Sequence, residues 1–361
     1  MIDFLVIGGG IAGISVAARL SHLGSVTVLE AEAGLGYHTS GRSAALFEES
    51  YGKPTTIALN KASKEYFQSE DGGFLSPRGL LLVGRAEEAE SFSADLAAMS
   101  MEPISISDAL ARMPILNPAV VKYAAYHAEA WDIDTDRLIQ SFAREVRQNG
   151  GEVLTGQRAV SIDRRPAGWE IRTGSRQLEA RILVNAAGAW VDEIARMAGI
   201  SPLGFAPLRR SMARIPAPGG RDTSDWPMTF GTGETWYCKP DAGKLIVSPA
   251  EEDPSHPHDA WADDMVLAEG LARYEEFMTE PVTRLESSWA GLRTFSTDRS
   301  LVLGPDVDDP DFVWVAGQGG YGFQTSPAAS QLVADILTAR QPALDADTVA
   351  RLSPHRFTKG L

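Results

Sequence analysis

Apolar and polar positions follow two periods along this chain, and the first thirty residues show both. Residues 4–7, Phe-Leu-Val-Ile, form a short uninterrupted apolar run, the mark of a strand buried on both faces of a parallel sheet. Residues 11–23 carry apolar side chains at helical spacing, and residues 25–30 return to a strand. Strand, helix and strand in this order predict a βαβ unit and a parallel sheet. Residues 73–130 are less regular. Residues 181–185 make another short β-rich run, closed by Ala186, Ala187 and Gly188. Residues 206–289 hold shorter runs broken by Pro and Gly, among them Lys244–Ser248, which suits an antiparallel sheet. Phe312–Ala316 predicts a strand, residues 317–322 a glycine-rich turn and residues 326–339 a final helix. Nucleotide-type segments thus recur at the start, middle and end, and predict two domains, each assembled from discontinuous pieces.

Composition narrows the function. The chain has 361 residues, 44% hydrophobic and 22% charged, which is ordinary for a globular protein. Its 33 basic and 48 acidic residues give a formal charge of −15, which argues against nucleic acid or an anionic membrane as main partner. A single cysteine, Cys238, excludes an internal disulfide and fits a reducing compartment. The chain enters a strand at once and has no long uncharged apolar run, so neither a secretory signal nor a membrane span is expected. The expected setting is the cytoplasm, with peripheral membrane attachment through an electron acceptor as the alternative.

The segment Gly8-Gly9-Gly10-Ile11-Ala12-Gly13 has the G-x-G-x-x-G spacing between a strand and a helix. Gly8 permits the tight turn, Gly10 lets the backbone approach a pyrophosphate, and Gly13 lets helix and strand pack closely. The helix start then offers N–H groups and positive dipole to phosphates. Glu30 ends the second strand, where a carboxylate accepts ribose hydroxyls and repels a 2′-phosphate. Dinucleotide binding follows, and NADP is disfavoured. Residues 36–44 (Gly-Tyr-His-Thr-Ser-Gly-Arg-Ser-Ala) offer backbone amides and Arg42 along a pyrophosphate leading to a flavin; the plain alternative is an exposed loop with a structural arginine. Residues 184–190 again pair a strand end with small residues. In residues 317–327 Pro327 suits the first turn of a helix capped by Ser326 or Thr325, whose start could direct positive potential at a reduced flavin.

These segments, in this order, resemble the D-amino-acid oxidase superfamily of FAD enzymes across nearly the whole chain. Within it the likeness is greatest to bacterial FAD-dependent D-arginine dehydrogenases. It is carried by residues 36–45, Trp226-Pro227-Met228, Tyr237 with Lys239-Pro240-Asp241, residues 289–293 and residues 318–322. The resemblance implies an α/β fold: a Rossmann-like FAD domain (1–72, 131–205 and 290–361) beside an antiparallel-sheet substrate domain (73–130 and 206–289). It implies non-covalent FAD contacted by Gly8, Gly10, Ile11, Ala12, Gly13, Glu30, Ala31, His38, Ser40, Gly41, Arg42, Ser43, Ala44, Ala159, Ala187, Gly188, Trp190, Gly291, Arg293, Gly319, Gly320, Tyr321, Gly322, Phe323 and Gln324. It further implies hydride transfer from a substrate α-carbon to flavin N5, giving an imino acid that water hydrolyses to a 2-oxo acid and ammonia. Arg210 and Arg293 would clamp the substrate carboxylate, and Tyr237 and the Gly320 carbonyl would hold carboxylate and amine. Tyr51 would lie on a mobile loop, residues 47–52, closing over the site. A planar guanidinium binding a carboxylate bidentately makes the clamp sensible by itself, although Arg209 is as good a candidate as its neighbour for the inward position.

The chain departs from that pattern in the pocket. D-arginine dehydrogenases place a carboxylate shortly after a Ser-Pro-Arg run; here the position is Leu80. Their pocket histidine corresponds to Leu46, a smaller aliphatic residue to Phe230, and Met228 is retained. An unpaired cation in an apolar pocket is costly. A neutral, apolar or aromatic D-amino acid is therefore expected. Glu48 is counted with Leu46, Leu80, Met228 and Phe230 among the pocket residues, since Glu48 or Glu49 in the lid would restore a negative partner; the plain alternative is a solvated loop face.

His256-Pro257-His258-Asp259 has metal-binding spacing but reads as a loop, and no metal is expected. Cys238 follows Tyr237 in a strand whose alternation turns it to the other face, so it is not a flavin anchor. His38 is expected to contact cofactor or backbone, and no general base is assigned. Competing functions are an oxidase of glycine, sarcosine or another secondary amino acid, and a flavin-binding module without turnover. The electron acceptor (quinone, carrier protein or oxygen) is not legible.

Overall fold

A computed structural model describes residues 1–358; the last residues expected in the nucleotide-binding domain, 359–361, lie outside the described residues. The strand Ile2–Ile7 sits at the centre of a parallel sheet, with Val26–Leu29 then Glu152–Leu154 on one side and Gln177–Asn185 then Phe312–Ala316 on the other. Val302–Pro305 adds an antiparallel edge, and a hairpin of Ala159–Arg165 and Gly168–Thr173 pairs with the first half of Gln177–Asn185. Alternation along the first strand explains why it is apolar throughout. Phe4 and Val6 face the helices Ile11–Leu20, Thr135–Gln148 and Gly322–Leu337, whereas Leu5 and Ile7 face Val191, Phe312 and Trp314. Both faces are buried, as parallel sheets require.

The second sheet runs Ser287–Phe295, Ala206–Ile215, Lys244–Ser248, Tyr237–Asp241, Met228–Gly231, Leu80–Gly84, Tyr123–His127 and Glu102–Pro103, with Asp253–Pro254 on the rim. One pairing departs from the expected antiparallel pattern: Met228–Gly231 lies parallel to Leu80–Gly84. The two strands are separated by a long excursion of chain, and only such a connection permits parallel neighbours. A three-stranded sheet of Leu46–Glu48, Ala130–Ile133 and Leu75–Pro77 bridges the two halves.

Two helix expectations need correcting. The first helix ends at Leu20 rather than residue 23. The last runs Gly322–Leu337, so Pro327 falls inside it and not in its first turn. Proline has no N–H to give the carbonyl four residues back. Here Phe323 O accepts from Ser326 Oγ instead, at 2.9 Å, which leaves the carbonyl satisfied and the helix intact.

Candidate active site

The turn after the first strand is shaped by glycine at two positions. Gly8 has φ +108°, and a Cβ there would stand 2.4 Å from Ala186 O; a Cβ on Gly13 would stand 1.9 Å from Gly8 O. Gly13 is thus a packing glycine, beneath the surface that meets a ligand. Ile11 N donates to Ser40 Oγ at 3.0 Å, which ties the segment 36–44 across the helix start. Glu30, buried at the end of its strand, accepts from Gly9 N and from Glu32 N, each at 2.7 Å. Each carboxylate oxygen keeps one lone pair for a ribose hydroxyl.

These groups open on a cleft of about 400 Å³. Of the residues expected around a cofactor, Gly8, Gly10, Ile11, Ala12, Glu30, Ala31, His38, Ser40, Arg42, Ser43, Ala44, Ala159, Ala187, Gly188, Trp190, Gly291, Arg293, Gly319, Gly320, Gly322 and Phe323 line it. Gly41 does not: it closes the turn, its N–H donating to Gly36 O at 2.6 Å. Tyr321 lies beside the cleft, its ring tilted against that of Tyr51 with centroids 5.4 Å apart. Gln324 lies in a second pocket. Arg42 is the larger correction. Its guanidinium donates to the carbonyls of Ala260 and Ala290 at 2.8 and 2.9 Å and pairs with Asp259 at 2.5 Å, so it pins the loop rather than running free along a pyrophosphate. His38 packs on Trp190, ring centroids 4.7 Å apart, with Nε2 3.1 Å from Glu32.

The second pocket, about 90 Å³, shares Ser43, Ala44, Arg210, Arg293, Gly320 and Phe323 with the cleft and continues from it. Register builds it. Met228 pairs with Leu80, and Phe230 with Tyr237, which sets four side chains on one wall with Leu46 and Met99. On the neighbouring ladder Arg210 pairs with Gly291 and Leu208 with Arg293, so the two arginines share a face. Arg209 turns to the opposite face and pairs with Asp253 at 2.8 Å; Arg210 is the inward residue. Its Nε donates to Glu251 O at 2.9 Å and Nη2 stands 3.4 Å from Glu252, while Nη1 is buried without a partner. Arg293 forms no ion pair or hydrogen bond among the described residues, and its guanidinium lies under Gly320, where a Cβ would stand 3.0 Å from Cζ. The junction therefore presents two cations, Arg210 with one free nitrogen and Arg293 with no hydrogen-bond partner, among the described residues.

Two carboxylates enter this pocket, and both change the expectation of an apolar wall. Glu234 accepts from Tyr51 Oη at 3.0 Å. It lies in a short turn, Thr232–Glu234, where a polar residue between Gly233 and Thr235 gives no sign of facing inward. Glu48 lines the pocket as one of the two readings of the sequence has it, not a solvated face: it belongs to the strand Leu46–Glu48 and is 2% exposed. Burial, with Glu49 nearby, pushes its carboxyl up to about 7 against the lowering bond from Ser50 N–H. Glu49 points outward to Lys64 at 2.9 Å. The expected loop 47–52 is correspondingly shorter, since Phe47 is fully buried and Asn60 Nδ2 bonds the carbonyls of Glu48, Glu49 and Tyr51.

Cys238 lies on the other face of its strand against Trp236, and burial pushes its thiol up. His256 and His258 stack on each other in a loop, and among the described residues no cluster of three or more His, Cys, Asp and Glu is placed to hold a metal. No helix of the described residues is long and apolar enough to cross a membrane.

A parallel sheet with a glycine turn, a buried acid at its second strand and a cleft running to an arginine-lined pocket defines a dinucleotide-binding oxidoreductase of the flavin type. Residues 3–336 match the model of the FAD dependent oxidoreductase (DAO) family, and the chain belongs to that family. It is 24% identical over 401 residues to "FAD-dependent oxidoreductase domain-containing protein 1" of Xenopus laevis, covering 93% of this chain and 79% of that protein. It is 25% identical to a glycine oxidase of Pseudomonas putida over 94% of this chain and 96% of the relative. Among solved structures, the L-proline dehydrogenase of P. horikoshii superposes with a TM-score of 0.84 at 21% identity, covering 99% and 98% of the two chains. The α/β fold and FAD as cofactor follow. The residues present fit that cofactor: Gly8 and Gly10 line the cleft at the helix start without a side chain, and Glu30 retains the lone pairs a ribose needs.

Proposed function

We propose that the protein oxidises the Cα–N bond of a D-α-amino acid with a short, uncharged side chain. The observation that carries this reading is the junction: Arg210 and Arg293 share one face between the cofactor cleft and a side-chain pocket, with Arg210 Nη1 and the whole Arg293 guanidinium unpartnered. Unpaired guanidinium donors at a buried junction call for a planar anion, and a carboxylate meets them bidentately. The carboxylate held there sets the α-carbon at the cleft and the side chain in the 90 Å³ pocket.

FAD, when bound, supplies the acceptor for the two electrons that leave the α-carbon as hydride. Gly8, Gly10 and the first helix start would hold its pyrophosphate and Glu30 its adenosine ribose. The chain's own work is orientation. Arg210, Arg293 and Tyr237 fix the carboxylate, the Gly320 carbonyl takes an amine hydrogen, and Tyr51 bonded to Glu234 closes the mouth. The substrate amine reacts as the neutral base, its proton having passed to water, and the imino acid formed is hydrolysed by water to a 2-oxo acid and ammonia. The D preference rests on the likeness of residues 36–45, 226–228, 237–241, 289–293 and 318–322 to D-arginine dehydrogenases.

The second reading is oxidation of glycine or a secondary amino acid, favoured by the likeness to a glycine oxidase and an L-proline dehydrogenase. Glycine would leave the side-chain pocket vacant, which favours the first reading. Anaerobic mixing with D- and L-amino acids, glycine and sarcosine decides between them. Bleaching of the flavin by D-amino acids supports the proposal; bleaching by sarcosine or glycine alone supports the second. Reoxidation in air then separates oxygen from a quinone or carrier as acceptor.

A further inference from the structure

The side-chain pocket holds two polar groups that the steps above do not use. Glu48 and Gln324 are 2% and 3% exposed, and both line the pocket beside the apolar wall of Leu46, Leu80, Met99, Met228 and Phe230, apart from the Glu234 carboxylate that Tyr51 Oη holds. They are neighbours, because Glu48 N donates to Gln324 Oε1 at 3.3 Å. That bond fixes the amide: its oxygen is the atom facing the backbone N–H, so Nε2 is the free end. Gln324 Nε2 is buried without a partner among the described residues. On Glu48, Oε1 accepts from Ser50 N at 2.9 Å and lies 3.4 Å from His127 Nε2. Its Oε2, too, is buried without a partner among the described residues. One pocket therefore carries an unsatisfied donor beside an unsatisfied acceptor. Buried polar groups of natural proteins are rarely left so, and the missing partners are supplied by what binds.

We propose that Glu48 and Gln324 read a primary carboxamide at the end of the substrate side chain, as in D-asparagine or D-glutamine. The inference rests on the amino-acid reading of the junction and goes beyond it. Four kinds of side chain can be set against the pair. An aliphatic terminus leaves both groups dry. An ammonium or guanidinium satisfies Glu48 but turns more donors onto Gln324 Nε2, and it must be desolvated against a carboxyl that burial holds up to about 7. A carboxylate meets Gln324 but opposes Glu48. A primary carboxamide offers its N–H to Glu48 Oε2 and its oxygen to Gln324 Nε2, on adjacent atoms of one plane, and carries no charge. A site built to bond a polar terminus also rejects the analogue that lacks it, because its own groups then stay unpaired.

The test is anaerobic flavin reduction by the FAD-loaded enzyme, with D-asparagine against its near isosteres D-leucine and D-aspartate, D-glutamine against D-methionine, and D-lysine. The expected kcat/KM for each carboxamide exceeds that of its aliphatic partner by about 10- to 100-fold, the range of a hydrogen bond to a buried group. Glu48→Leu abolishes that margin. Should Glu48→Leu fail to fold, Glu48→Gln is nearly isosteric: its amide oxygen keeps the bond from Ser50 N–H, so its NH2 stands where Oε2 stood, a donor replaces the acceptor and the repulsion is lifted; the carboxamide margin falls and D-aspartate gains at least 10-fold relative to D-leucine. D-leucine or D-methionine matching the carboxamides in the wild type, or D-lysine exceeding them, overturns the inference while leaving amino-acid oxidation standing. A flavin that no amino acid bleaches overturns the amino-acid reading itself, and this inference with it.

Discussion

Replacing Arg293 by methionine separates a guanidinium that binds substrate from one that holds the fold. Arg293 lies on the strand Ser287–Phe295 and gives no hydrogen bond or ion pair among the described residues. The methionine side chain is close in length and keeps the packing under Gly320. Stability should change little, with the unfolding midpoint of the FAD-loaded protein within about 2 °C of the wild type. Substrate handling should change greatly. Truncating one member of a desolvated, hydrogen-bonded charge pair costs about 2–5 kcal/mol. With Arg210 and Tyr237 still facing the carboxylate, about 3 kcal/mol is expected, or roughly 150-fold in kcat/KM at 25 °C. Stopped-flow flavin reduction over a range of D-amino acid concentrations measures it. Arg210→Met is the contrasting variant, because it also gives up the bonds to Glu251 O and Glu252 and should lower the midpoint as well. An Arg293→Met enzyme with unchanged kcat/KM and a midpoint several degrees lower would refute the reasoning, since the arginine would then be structural.

Three further outcomes follow from the same geometry. The Glu48 carboxyl is held up to about 7 from its ordinary 4.5, so the folded protein keeps a proton that the unfolded chain releases. Its burden is absent below pH 4.5, grows between pH 4.5 and 7, and is complete above; Glu48→Gln should therefore gain up to about 3 kcal/mol at pH 8 and nothing at pH 4, read by urea unfolding at both. Tyr51→Phe removes the hydroxyl that donates to Glu234 and should raise KM several-fold, the effect of about 1 kcal/mol, with flavin content unchanged. Gly13→Ala sets a Cβ 1.9 Å from Gly8 O, so the protein should purify without bound FAD or not fold at all, by absorbance and circular dichroism.

What the sequence makes legible is what depends on local chemistry. The glycine turn and the acid of the second strand are visible because spacing and residue type are both demanded, and the apolar run of residues 4–7 betrays its two buried faces. Strand alternation likewise separates Tyr237 from Cys238 without coordinates. The remainder depends on which distant segments meet. Arg209 and Arg210 are indistinguishable until the pairing of Arg210 with Gly291 sets the face. Arg42 reads as a free cation until Asp259, more than 200 residues on, is seen to hold it. Glu234, in a turn among glycines, looks solvated, and only Tyr51 meeting it across the mouth shows otherwise. Glu48 is only half legible: the resemblance sets it at the pocket, but an acid in a polar stretch normally faces water, and its burial shows only when a strand of three residues pairs it with Ala130.

The central claim is that two inward guanidinium groups steer an amino acid onto a bound flavin. Anaerobic titration of the purified, FAD-loaded protein with paired D- and L-amino acids tests it most directly, followed by the visible flavin absorbance. Loss of that absorbance with D-amino acids, abolished at the same concentrations in Arg293→Met, is the result predicted. Protein that cannot be reconstituted with FAD, or a flavin that stays oxidised under every amino acid offered, would contradict it.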